Sequence, residues 1–115
     1  MRTLRIPLRV VFYPEDGEWI AHCLEFDLLG SGSTKQEAVE SLAEAIRLQV
    51  DESLRHDNPR NLFSPADGEY FEMFAAGREI AAGELHIEPA ALSKAPVLIE
   101  RAEVREYARE PVGAV

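Results

Sequence analysis

The sequence predicts an α+β domain: an antiparallel three-stranded meander, one long amphipathic helix packed across it, and additional strands from the C-terminal half. Three observations predict it. Residues 4–13 alternate apolar and polar side chains, an Asp-Gly pair separates that alternation from a second one, and a capped apolar stripe at three- and four-residue spacing follows. At 115 residues one core is expected. We place a single domain over residues 1–110, with its most recognisable part at 5–50, a C-terminal strand extension at 69–108 and a tail at 111–115.

Composition narrows the class. Hydrophobic residues make up 46% and charged residues 29%, the balance of a folded globular chain rather than a disordered one. The net charge of −9 repels bare phosphate backbones, so direct nucleic-acid binding is not expected, and a basic protein is the better-matched partner. Cys23 is the only cysteine, which excludes an internal disulfide and a cysteine-rich zinc cluster. The N-terminus lacks a signal-peptide pattern and no apolar run reaches bilayer length, so we expect a soluble cytoplasmic protein that does not engage membranes.

The first strand runs from Leu4 to Tyr13, with Leu4, Ile6, Leu8, Val10 and Phe12 on one face and Arg5, Pro7 and Arg9 on the other. Pro7 places that position at a sheet edge or points it outward. Pro14-Glu15-Asp16-Gly17 marks a hairpin, because glycine takes the positive φ such turns need. The second strand spans Glu18 to about Leu24, and Leu28-Leu29 forms a short third strand ending at Gly30-Ser31-Gly32-Ser33. Thr34-Lys35-Gln36-Glu37 is a capping box opening a helix, with Ala38, Val39, Leu42, Ala43, Ile46, Val50 and Leu54 as its apolar stripe. The helix stops near His56-Asp57-Asn58-Pro59. Residues 59–68 form a loop. Glu69–Phe74 reads as a strand buried on both sides, with a helix as alternative, and Glu84–Glu88 as a strand ended by Pro89. Val97–Ala108 is a strand, or helical after Glu100. An exposed edge on the first or last strand would favour homodimerisation.

The chemical candidates each have a plainer explanation. Gly30-Ser-Gly-Ser-Thr-Lys35 resembles a phosphate loop, but threonine precedes lysine and the capping box accounts for Thr34 and Glu37. His22 and Cys23 are strand neighbours, so they point to opposite faces and cannot act as base and nucleophile together. His22, His56 and His86 lack metal-ligand spacing and read as surface histidines. Asp16, Glu18, Glu25 and Asp27 could form a carboxylate cluster for metal-assisted hydrolysis, although Asp16 belongs to its turn. Trp19, Tyr70, Phe71 and Phe74 read as core, or as a sticky surface. Pro14–Trp19 and Pro65–Tyr70 share a pattern, which we attribute to recurring turn chemistry. No catalytic, cofactor or metal residue is assigned, and no cofactor is expected.

The order Val10-Val11-Phe12-Tyr13-Pro14-Glu15-Asp16-Gly17, Trp19-Ile20-Ala21, Gly32-Ser33-Thr34, Glu37-Ala38 and Glu44-Ala45-Ile46 resembles the HicB-like antitoxin family. The resemblance implies a truncated ribonuclease-H-like domain: three antiparallel strands, a helix and a further strand, without catalytic function of its own. It implies binding to a small basic RNA-cleaving toxin whose catalytic histidine is occluded. The acidic balance agrees with such a partner. Two departures limit the carry-over. Residues 59–115 show neither two closely spaced capped helices nor a basic stripe for DNA, and Leu24–Leu29 lacks the family loop's proline and glycine. No toxin-contacting residue is transferred.

Overall fold

The structure is a computed structural model that describes residues 3–58, 62–80 and 85–107. Strand β1, Leu4–Glu15, turns at Asp16-Gly17 into β2, Glu18–Cys23. Both turn residues have positive φ, 51° and 82°, the handedness that matches the twist of paired strands. Strand β3 is Leu28–Gly32 and helix α1 is Lys35–Arg55. Helix α2, Gly68–Ala76, strand β4, Arg78–Glu79, and the one-turn helix α3, Pro89–Leu92, lead to β5, Val97–Glu106. The five-stranded sheet has the order β3-β2-β1-β5-β4. The first three strands are antiparallel meander neighbours, and β5 returns parallel to β1.

Each face of the sheet packs its own helix. Ile6, Leu8, Val10 and Phe12 of β1 face α1 and bury against Ala38, Val39, Leu42, Ile46 and Val50. A fully buried leucine or isoleucine contributes about 2 kcal/mol, so this alternation holds the sheet and α1 together. The helix lies unusually close to β3. A Cβ on Gly30 would sit 2.2 Å from the Leu42 backbone nitrogen, and one on Gly32 2.8 Å from that of Ala38. On the second face Val11 and Leu24 pack with Phe74 and Ala66 beneath α2.

Several expectations need correction. Residues 69–74 take the helical alternative, because Tyr70, Phe71 and Phe74 fall on one helical face over Val11 and Leu24. Residues 85–88 make no regular strand; Glu84 lies outside the described residues. There the Gln36 side chain does a strand neighbour's work. Its Nε2 donates to the His86 carbonyl at 3.3 Å and its Oε1 accepts from the His86 amide at 3.0 Å. The last segment is a strand to Glu106, and the proposed end at Ala108 and tail at 111–115 lie outside the described residues.

Pro7 sits where β2 has already ended, since β1–β2 pairing begins at Val10, and where the register with β5 slips between Ile6 and Pro7. The first strand is therefore interior only in its second half. The loop over the described residues 62–67 is hooked to the sheet: the Ala66 amide donates to the Leu24 carbonyl at 2.9 Å and that of Ser64 to Glu25 at 3.2 Å. The two Asp-Gly segments differ in structure, one turning the hairpin and the other opening α2 at its N-cap, Asp67.

Candidate functional site

The polar cluster that most resembles chemistry lies under α2. Tyr13 is at the end of β1, opposite Ile20, and His22 is opposite Val11, so both project to the second face. The Leu24–Asp27 turn brings Asp27 back beside them in the left-handed region, φ 53°, which aspartate tolerates better than most residues. His22 Nδ1 meets the Tyr13 hydroxyl at 3.0 Å and His22 Nε2 meets Asp27 Oδ1 at 2.7 Å. The Tyr70 ring of α2 closes the cluster, 4.4 Å from the His22 ring and 5.9 Å from that of Tyr13. His22 is 2% exposed, against the expectation of a surface histidine. Its burial depends on α2, which no signal near His22 announces.

The order Asp27–His22–Tyr13 is that of a relay ending in a hydroxyl. Burial, followed by the neighbouring Tyr70, Glu15, Asp27 and Glu69, pushes the Tyr13 phenol far above its ordinary range, so the hydroxyl is protonated at rest. A hydroxyl donating to Nδ1 leaves the Nε2–H to donate to Asp27. Every ring nitrogen is satisfied, and the cluster ties the hairpin to α2.

The remaining candidates are likewise engaged. Cys23 faces the α1 core, as the alternation requires, and burial pushes its thiol up to about 12. Glu25 binds Arg9 twice, accepting from its amide and its Nε, each at 2.6 Å. Asp16 is in the hairpin turn, and Glu18 is paired in register with Glu15 at the exposed hairpin end. The structure thus separates the four carboxylates, and among the described residues no three His, Cys, Asp or Glu side chains stand together to hold a metal ion. His56 bonds Glu52 at 2.8 Å and His86 lies 3.3 Å from Glu88.

The glycine-rich turn serves the helix. Thr34 caps α1, accepting from the Glu37 amide at 3.1 Å, while Glu37 accepts from the Ser33 amide at 3.0 Å and the Ser33 hydroxyl at 2.7 Å. Those bonds lower the Glu37 carboxyl, the Ser33 hydroxyl most of all. Lys35 lies 4.9 Å from the Trp19 ring centre and pairs with Glu106. The space an anion would need at Gly30 is filled by α1. Among the four aromatic residues singled out, Phe74 is buried and Trp19, Tyr70 and Phe71 are half-buried.

The outer side of α1 presents a different arrangement. Leu48 is 65% exposed, with exposed Glu44 and Glu52 four residues before and after it, so one carboxylate lies a helical turn to either side. Next to this stripe, α1 and the 86–92 segment enclose a shallow groove of about 180 Å³ lined by Val39, Ala43, Ile87 and Leu92 together with Glu40, Arg47 and Glu88. No helix of the described residues is long and apolar enough to cross a membrane. Comparison with protein-family models, curated proteins and solved structures finds no match.

Proposed function

We propose that this protein is a HicB-like antitoxin, or a module derived from one, that neutralises a small basic RNA-cleaving toxin by direct binding and performs no catalysis itself. The observation that carries the reading is the α1 surface: a solvent-facing leucine bracketed by carboxylates, on a chain of net charge −9. Single exposed leucines are ordinary. An apolar anchor with an acidic rim is what a basic protein surface complements, giving fast, salt-sensitive association.

The chain path supports the same reading. Three antiparallel strands, a helix and a strand returning beside β1 are the parts the resemblance leads one to expect of a truncated ribonuclease-H-like domain. The motif residues fall at its joints: Pro14–Gly17 at the hairpin, Gly32-Ser33-Thr34 at the mouth of α1.

The test is capture from native cells at low and moderate salt, followed by an RNA-cleavage assay on the retained small protein. A stoichiometric basic ribonuclease is expected, silenced by this protein and released by Leu48→Lys together with Glu44→Lys. A clean bait at both salts, or a retained protein without RNA cleavage, overturns the reading. A second reading, a homo-oligomeric or small-ligand-binding domain without a toxin, is favoured by Leu29, 53% exposed on the edge strand β3; light scattering distinguishes it.

A further inference from the structure

Among the described residues, the second face of the sheet is only half covered. Helix α2 lies over Val11 and Tyr13, and no described element lies over the start of β1. There Arg5, Pro7 and Arg9 of β1 lie beside Arg101 and Glu103 of β5, in the register Pro7↔Arg101 and Arg9↔Glu103. With Phe63 and Phe74 as walls they line a groove of about 570 Å³. Three arginines therefore share one patch of a protein with 21 acidic and 12 basic residues.

Arg9 is already committed, to Glu25 and to the Phe71 ring 4.8 Å away. Arg5 and Arg101 are exposed, and among the described residues neither forms an ion pair. Arg5, opposite Leu98, and Arg101, opposite Pro7, lie on the same face of neighbouring strands, so two guanidiniums without an ion pair among the described residues are available there to carboxylates.

We propose that this groove docks an extended acidic segment of a partner protein, its carboxylates on Arg5 and Arg101 and its apolar side chains against Phe63 and Phe74. Its lining includes β1 from Arg5 to Arg9, about 13 Å at the rise of a strand, a length that an extended chain matches. Glu25, bonded to Arg9, and Glu103 also line it, so the carboxylates of the segment must fall on Arg5 and Arg101 with uncharged residues between them. The site lies across the sheet from α1 and does not depend on the antitoxin reading.

The test is fluorescence anisotropy with a labelled decapeptide alternating glutamate and valine, at 50 and 300 mM salt. A lysine-valine peptide and a labelled single-stranded oligonucleotide serve as competing probes. The glutamate peptide should bind saturably at low salt and at least tenfold more weakly to the Arg5→Gln/Arg101→Gln protein, while Arg47→Gln on α1 leaves binding unchanged. Circular dichroism and the single Arg101→Gln variant separate lost binding from lost folding. Absence of binding by the unmodified protein, equal binding by the double variant, or tighter binding of either competing probe overturns the proposal.

Discussion

Cys23 and His22 are neighbours in sequence and belong to different environments. The alternation along β2 makes their opposite orientation legible from residue order alone. What lay over each was not legible, since His22 is sealed by Tyr70 from a segment that alternates like a strand. The thiol gives this a measurable consequence. Burial holds it protonated to about 12, against an ordinary value near 9, with backbone amides of Phe26 and Glu25 offsetting only part of that effect. A pKa raised on folding contributes stability that is complete below the unfolded value and is lost as pH rises through the folded one. Between pH 9 and 12 the unfolded chain has released a proton that the folded chain keeps. Stability should therefore fall with pH more steeply than in Cys23→Ala, by roughly 1 kcal/mol per pH unit. Urea unfolding of both proteins across that window measures the difference, and identical slopes would show the thiol to be solvated.

At the scale of the element, α1 shows how a pattern can be legible while its purpose is not. The apolar stripe, the threonine cap and the stop before Pro59 follow from spacing and cap chemistry, and the helix forms within a residue or two of that reading. Gly30 and Gly32 invited comparison with a phosphate loop because glycine near a helix start serves both uses. Packing decides between them: the helix backbone occupies the space that a Cβ at Gly30 would need, 2.2 Å from the Leu42 nitrogen. That contact is with backbone, which cannot rotate away. Thr34→Ala should cost about 1 kcal/mol, the usual loss of a capping hydroxyl. Gly30→Ala should cost about 3 kcal/mol, because α1 must lift from β3. Urea unfolding ranks the two, and a Gly30→Ala protein as stable as Thr34→Ala would contradict the close approach. The segments misread as strands fail for a related reason. Their alternation is genuine, but residues 69–74 lay one helical face over Val11 and Leu24, and the Gln36 amide satisfies the His86 backbone that a neighbouring strand would otherwise pair.

Across the whole molecule, the two faces of the sheet are unequally built, and this sets where the protein opens first. The α1 face buries a continuous set of side chains from β1, β2, the 24–27 turn, α1 and β5, including Phe12, Cys23, Phe26, Leu42, Ile46 and Val97. The α2 face buries Val11, Leu24, Ala66 and Phe74, with Tyr13, Tyr70, Phe71, Met73 and Tyr107 only partly covered. Helix α2 has no side-chain cap bond at Asp67 and ends at Gly77. Its anchors are Tyr70, stacked on Tyr13 and tilted against His22, and Arg105, whose guanidinium donates to the Phe74 carbonyl at 3.0 Å and lies 4.5 Å from the Phe74 ring centre. A helix of this length is not stable alone, and local opening free energies follow the apolar area that opening exposes. Native-state hydrogen exchange at low urea concentrations should therefore find the amides of residues 71–76 opening about 2 kcal/mol or more below those at the centre of α1, with little dependence on denaturant because little surface is exposed. Asp27→Asn should lower the α2 barrier further, since weakening the partner of His22 loosens the ring on which Tyr70 rests, while protection along α1 is unchanged. If both helices instead exchange with one free energy and one denaturant slope, the sheet and its two helices unfold as a single unit and the aromatic cluster is part of the global core.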